Sequence, residues 1–345
     1  MYCAGLTAEA HGAFWREALS SSANLFVSAA DSSGATVLPR RGANADVLRR
    51  AGRMLCKSLL DDHPIGAGLC AFALEYLIGM HEQRSLRTPR SALAALAHFD
   101  PVLAAQWRVL LERTDDPTRL DGLCFSDLDG SDDLPLGREG DQLRATDVQI
   151  DLDAPLSEHN VAAAVLAGCK ARLLGGRRDA LEALREGFSG FVDLSVQLAP
   201  LPTSELLLMV QGRVSISAQQ LDECFDWGAE AFPPFPLHSN AVRLFRAFVR
   251  GGLTPPQRLQ LLRWCTAQNA LPVDGLKEKI TFKHFVSGGG GGGSGRDATA
   301  DERLPVAHTC SFEVELPDYS SGEPLREKLL RAMQEMEGGG GFAVQ

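Results

Sequence analysis

Residues 303–310 read Arg-Leu-Pro-Val-Ala-His-Thr-Cys, so a thiol at Cys310 has an imidazole, His308, two residues before it and a guanidinium, Arg303, seven before it. A nearby cation or imidazole favours the thiolate over the thiol, and the thiolate is the nucleophile. In an extended chain, residues two apart point to the same face, so His308 and Cys310 become neighbours if a strand begins that early. The chemistry on offer is that of a reactive cysteine. Local pattern goes no further, because Cys310 also reads as a core residue sharing a strand face with Phe312, Val314 and Leu316. On that reading His308 is a loop histidine and Arg303 a surface charge.

The other chemistry-bearing residues narrow the field. The eight cysteines are scattered, the closest pair being Cys56 and Cys70, so neither CxxC nor zinc spacing occurs. Reduced thiols are expected, and no metal or cofactor. Cys56 falls at helical spacing among Leu48, Ala51, Leu55 and Leu59, as a small buried hydrophobe does. A glycine run at 287–295 has no strand-to-helix context and no Lys-Ser/Thr ending, so it reads as a flexible linker rather than a phosphate cradle. A cysteine hydrolase would need a histidine base oriented by Asn or Asp from elsewhere, and no motif supplies one.

The 345 residues carry a net charge of −10, which argues against nucleic acid and anionic membranes as partners. The most apolar stretch, from Leu69 to Met80, is too short to span a bilayer and contains Glu75. The start has no basic segment followed by an apolar core. A cytoplasmic protein is expected, with the nucleus as the alternative.

The elements that must position Cys310 follow from periodicity. Helices are expected around Phe14–Leu19, from Val47 to Leu60, from Leu69 to Ile78, and through Val102 to Leu111 after the Asp100-Pro101 start pair. Residues 113–145 read as loops, and Val148, Ile150 and Leu152 as a half-buried strand. Ser157 and Asn160 lead into an Ala-rich helix, and another runs through Leu181, Leu184 and Phe188. The short polar residues of 209–217 suit a hinge. Helical signals return at 242–250 and after Pro255-Pro256. Thr309 to Leu316 alternates as a strand, stopped by Pro317. Ser320 and Glu323 have capping-box spacing and open a helix with Leu325, Leu329, Met333 and Met336 on its apolar stripe, ended by Gly338 to Gly341.

Residues 303–310, RLPVAHTC, followed by LPDYSSGEPLR at 316–326 and EKLL at 327–330, closely resemble the end of the HECT domain of ubiquitin-protein ligases. Further stretches are similar along the chain: LPVDGL at 271–276, ELLLMVQG at 205–212, LEALREGF at 181–188, DPVLAAQWRVLL at 100–111 and AGRMLCKSLL at 51–60. The resemblance implies an α+β bilobal fold, with a mostly helical N-terminal lobe over 1–212 and a smaller catalytic lobe over 213–345. A sub-lobe at about 90–172 would receive the ubiquitin-conjugating enzyme, and a hinge at Gln211, Gly212, Arg213 and Ser215 would let the small lobe move.

The same resemblance implies that Cys310 accepts ubiquitin as a thioester and passes it to a lysine of a protein substrate. Chemically, a nearby carboxylate or His308 would help remove the lysine proton, and backbone amides near Thr309–Cys310 and Arg303 are the candidates for stabilising the oxyanion. The resemblance further implies that Phe342 assists the second transfer. Two positions depart from the family. Ser311-Phe312 replaces its Phe-Asn, and Gly168 falls where an aromatic anchor for the conjugating enzyme is common. Those departures keep alive an alternative, a scaffold that binds ubiquitin or its carrier without transfer.

Overall fold

Apolar residues at helical spacing dominate the chain, and thirteen α-helices form among the described residues, with two small sheets. The computed structural model describes every residue except 1–3, 30–35, 67, 113–119, 121, 125–154, 229–239, 285–299 and 339–345. The expected strand at Val148–Leu152, the glycine run at 287–295 and Phe342 lie outside the described residues.

In chain order the elements are α1 (Ala4–Ala18), β1 (Phe26–Val27), β2 (Leu38–Pro39), α2 (Ala45–Asp61), α3 (Ala71–Leu77), α4 (Pro89–Phe99), α5 (Pro101–Glu112), α6 (Val161–Leu173), α7 (Arg178–Ser189), α8 (Ser195–Leu198), α9 (Thr203–Gln211), α10 (Ala218–Asp222), α11 (Asn240–Gly251), α12 (Pro255–Thr266), β3 (Thr281–His284), β4 (Val306–His308), β5 (Glu313–Leu316) and α13 (Gly322–Gly338). They pack as two compact units. One comprises Trp15–Asp61 and Ala67–Val210; the other comprises Gln211–Gln345 together with Met1–Phe14 and Asp62–Gly66.

In the first unit the helix ends are set by local chemistry. Thr88 and Ser91 satisfy each other's backbone N–H groups and Pro89 follows, so α4 starts where its first orphan donors are capped. Asp100 Oδ1 accepts from Leu103 N at 3.0 Å to open α5. The carboxylate of Glu75 is buried, and is held by Ser85 N at 3.2 Å and by the Thr203 hydroxyl at 2.6 Å. This explains an acid in the most apolar stretch of the sequence.

Helices α2 and α7 meet backbone to backbone. A Cβ built on Gly52 would overlap Leu184 O and lie 2.7 Å from Phe188 N, and one on Gly187 would overlap Arg49 O and lie 2.7 Å from Arg49 C. Only hydrogen fits on either side of this crossing. Gly187→Ala is therefore expected to destabilise this unit by about 1–3 kcal/mol or more, because rigid backbone rather than a flexible side chain must give way. Denaturant unfolding measures it, and a midpoint unchanged from wild type would contradict the close approach.

The second unit carries Cys310. Its sheet has the order β3-β5-β4, with β3 parallel and β4 antiparallel to the central β5. Along β5, Val314 and Leu316 are buried while Glu313 and Glu315 face the other way. The buried face packs on Leu325, Leu329 and Met333 of α13 and on Phe245 of α11. Phe282 of β3 stacks with Phe225 at 5.9 Å, and Phe245 meets both rings edge-on at 5.5 Å.

Candidate active site

Cys310 does not lie on a strand. The expected strand over 309–316 begins only at Glu313, and 309–312 form a four-residue turn joining β4 to β5, with His308 paired to Glu313. Ser311 N donates to His308 O at 3.2 Å to close the turn. The Cys310 side chain is consequently exposed rather than aligned with Phe312, Val314 and Leu316. Of the described cysteines, five are buried and Cys124 is intermediate, so Cys310 is the exposed thiol among them. Burial pushes the thiols of Cys70 and Cys224 up to about 11 and that of Cys169 up to about 12, which keeps them protonated and unreactive at neutral pH.

Phe312 explains why the turn departs from the alternation of the sequence. Its φ is +50°, in the left-handed region, yet its ring is only 6% exposed and joins the core under the sheet. The apolar pattern continues across the turn, but the chain reverses direction there. Phe312 O also accepts from Thr281 N at 2.8 Å, tying the turn to the start of β3.

His308 ends β4, and its Nε2 lies 2.8 Å from Glu315 Oε1 on β5. The ring is thus engaged by a carboxylate across the hairpin, and Glu315 fixes which nitrogen faces the strand. Thr309 is half-buried in the turn itself. Arg303 acts through its backbone: its carbonyl accepts from the Tyr319 hydroxyl at 2.8 Å, and its N–H reaches Ala300 O at 3.2 Å. Ser320 was expected to cap α13 in a box with Glu323. Instead its N–H and hydroxyl both go to Asp301, at 2.8 and 2.5 Å. Tyr319 and Ser320 therefore clamp the segment leading into β4 onto the start of α13, which gives the Leu-Pro-x-Tyr-Ser run a structural purpose.

Glu313 carries a second polar network. Its carboxylate accepts from Ser311 Oγ at 2.6 Å and pairs with Lys283 of β3. Burial pushes the Glu313 carboxyl up, but the hydrogen bonds from Lys283 and Ser311 and the nearby positive charge outweigh it and hold the group below its ordinary value of 4.5. A carboxyl depressed in the folded state stabilises above its unfolded pKa, and that contribution is lost as pH falls through the lower folded value. Lys283→Gln should therefore flatten the acid limb of the stability curve below about pH 4.5, as read by thermal melts across pH 3–6. An acid limb identical to wild type would show that the pair contributes nothing.

The expected hinge residues behave differently from one another. Gly212 has φ +70°, and a Cβ there would lie 2.7 Å from Pro64 Cβ. Gln211 O accepts from Gly66 N at 3.1 Å, and Arg213 exchanges backbone hydrogen bonds with Leu271 at 2.8 and 3.2 Å. Ser215 and its neighbour Val214 are exposed. Gly168 is buried within α6. Sequence reasoning missed Glu315, Glu313, Lys283 and Asp301. The two glutamates were visible only as the polar face of a strand.

No helix among the described residues is long and apolar enough to cross a membrane. A family model described as HECT-domain (ubiquitin-transferase) matches residues 12–343. The chain is 25% identical over 85% of its length to a bifunctional serine/threonine-protein kinase/NEDD4-like E3 ubiquitin-protein ligase of Dictyostelium discoideum, covering 13% of that protein. It is also 25% identical, over 85% of its length, to ubiquitin fusion degradation protein 4 of Saccharomyces cerevisiae, covering 18% of that protein. With E3 ubiquitin-protein ligase UPL3 of Arabidopsis thaliana it shares 32% identity over 46% of its length and 8% of the relative. The chain thus spans less than a fifth of each of these relatives.

Proposed function

The chain belongs to the HECT-domain (ubiquitin-transferase) family, and from that premise we propose that it is a ubiquitin ligase in which Cys310 carries ubiquitin as a thioester. The observation that carries the reading is that the cysteine ending the RLPVAHTC run is the exposed one among the described cysteines, held at the tip of a braced turn.

The reaction has two acyl transfers. The Cys310 thiolate attacks the carbonyl carbon of the thioester between ubiquitin and a conjugating enzyme. The tetrahedral intermediate collapses with loss of that enzyme's thiolate, leaving ubiquitin on Cys310. A neutral substrate lysine then attacks the new thioester, the Cys310 thiolate departs, and the nitrogen gives up a proton as the isopeptide bond forms. Both thiolates are similar leaving groups, so the first step is nearly balanced and positioning governs its rate. The Tyr319 and Ser320 clamps and the Phe312 anchor fix the turn for that purpose. His308, oriented by Glu315, is the nearest base in sequence for the lysine proton. Gly212 and the exposed residues after it would allow Cys310 to travel from donor to acceptor.

Incubation with activating enzyme, ATP, ubiquitin and a broad panel of conjugating enzymes should give a ubiquitin adduct that reductant removes on a gel. Failure with every member of the panel would favour the scaffold reading instead.

A further inference from the structure

Lysines are scarce in this chain. Lys57, Lys170, Lys277, Lys279, Lys283 and Lys328 are the lysines among its 34 cationic residues, and the rest are arginines. A guanidinium is not deprotonated in a protein, so it does not serve as an acyl acceptor, whereas a lysine amine does. Lys57 pairs with Asp61 and Lys170 with Glu82, both in the unit without Cys310. Lys277 reaches Asp62, the Lys279 amine donates to Glu223 O, and Lys328 pairs with Glu327. Lys283 is the lysine tied into the network of the Cys310 turn.

Its position follows from a diagonal exchange of partners on the polar face of β5. Register sets His308 opposite Glu313 and Lys283 opposite Glu315. Yet His308 Nε2 lies 2.8 Å from Glu315, and Lys283 Nζ pairs with Glu313. Diagonal neighbours in a sheet are within reach of long side chains. The exchange carries the Lys283 amine back along β3, toward the end of the sheet where the chain turns through 309–312.

At that end, Lys283 Nζ and Ser311 Oγ share one oxygen, Glu313 Oε2, with the hydroxyl at 2.6 Å. Ser311 directly follows Cys310 and both are exposed. The first residue of β3 is fastened to the same turn, Thr281 N donating to Phe312 O at 2.8 Å. The Lys283 side chain remains 38% exposed, so its amine is held near the thiol without being sealed off.

We propose that Lys283 accepts the ubiquitin carried on Cys310 of the same chain, which makes it a site of self-modification. The proposal rests on the reading of Cys310 as the carrier. One proton of the Lys283 ammonium passes to the Glu313 carboxylate it already touches, and the neutral amine attacks the thioester carbonyl carbon. The C–N bond forms, the C–S bond breaks, Cys310 leaves as a thiolate, and the nitrogen sheds its second proton to solvent. An amine on an adjoining strand attacks without the entropic cost of bringing in a separate substrate. The product has a free Cys310 thiol, a ubiquitin fixed beside it by an isopeptide bond, and a Glu313 released from its ion pair.

The test charges the intact chain with activating enzyme, ATP, ubiquitin and the panel of conjugating enzymes, with no other substrate. Charging is then stopped by removing ATP, and the thioester is followed as it converts to an adduct that survives reductant. The tryptic diglycine remnant is expected chiefly on Lys283, and the conversion rate should not change over a roughly tenfold dilution, as attack within one molecule requires. Lys283→Arg keeps the charge toward Glu313 but cannot accept the acyl group. It should lower the ratio of reductant-resistant to reductant-sensitive adduct by about fivefold or more, while Lys277→Arg leaves that ratio unchanged. If Lys283→Arg does not fold, the position of the remnant in the wild-type chain decides alone.

A thioester that yields no resistant product, remnants confined to other lysines, a rate that rises with chain concentration, or an undiminished ratio in Lys283→Arg each overturns the proposal and leaves Cys310 as the carrier. So does a resistant adduct that mild base removes, which would place ubiquitin on the Ser311 hydroxyl instead. Absence of any thioester removes the carrier reading and this one with it.

Discussion

Cys310→Ala is expected to abolish the reductant-sensitive ubiquitin adduct while leaving the melting temperature close to that of the wild-type chain. The two halves of this result have different causes. The side chain is exposed in a turn, and substitution of such a residue usually changes stability by no more than about 0.5 kcal/mol. Its loss removes the nucleophile, and the buried cysteines cannot substitute for it. Their thiols are shielded from a protein-sized donor, and burial raises those of Cys70, Cys169, Cys224 and Cys265. Cys310→Ser sharpens the test, because a hydroxyl at the same place would hold ubiquitin as an oxygen ester that resists reductant and yields to mild base. An adduct of wild-type strength in Cys310→Ala sinks the assignment, and Cys124, half-buried, is then the next thiol to replace.

What the sequence disclosed about this site, and what it withheld, divides along the range of the interactions involved. The helices were legible because their signal is local: apolar residues at 3.6 spacing and caps such as Asp100 identify α2, α5, α7, α11 and α12 without knowledge of partners. Helix α4 escaped notice, although Thr88, Pro89 and Ser91 spell out its start. The role proposed for Cys310 comes from the resemblance of its run to a known family, since local chemistry alone favoured a core cysteine. Its exposure was not legible, because it depends on where β4 pairs with β5, and Phe312 prolongs the apolar alternation past the true end of the strand. Lys283 meets Glu313 only through the parallel pairing of β3 with β5, two strands far apart in sequence, which no local pattern encodes. The opposed glycines Gly52 and Gly187 likewise acquire meaning only when their helices are brought together.

Phe312 is where these ranges conflict, and its replacements should rank in an unusual order. Truncating a buried phenylalanine to alanine costs about 3–5 kcal/mol, and Phe312→Ala keeps the β-carbon that makes φ +50° unfavourable. Phe312→Gly loses the same ring from the core but removes that penalty, which is about 1–2 kcal/mol for an L-residue in the left-handed region. Glycine elsewhere is the worse choice, by about 0.5–1 kcal/mol in regular structure. Here Phe312→Gly is expected to be the more stable of the two, with Phe312→Asn close to it because asparagine tolerates this backbone. Denaturant midpoints at constant slope give the ranking directly. Both truncations should slow adduct formation, since the ring is what ties the Cys310 turn to the core. If alanine proves more stable than glycine, the turn does not hold Phe312 in the left-handed conformation. The burial of its ring would then be the whole of its contribution.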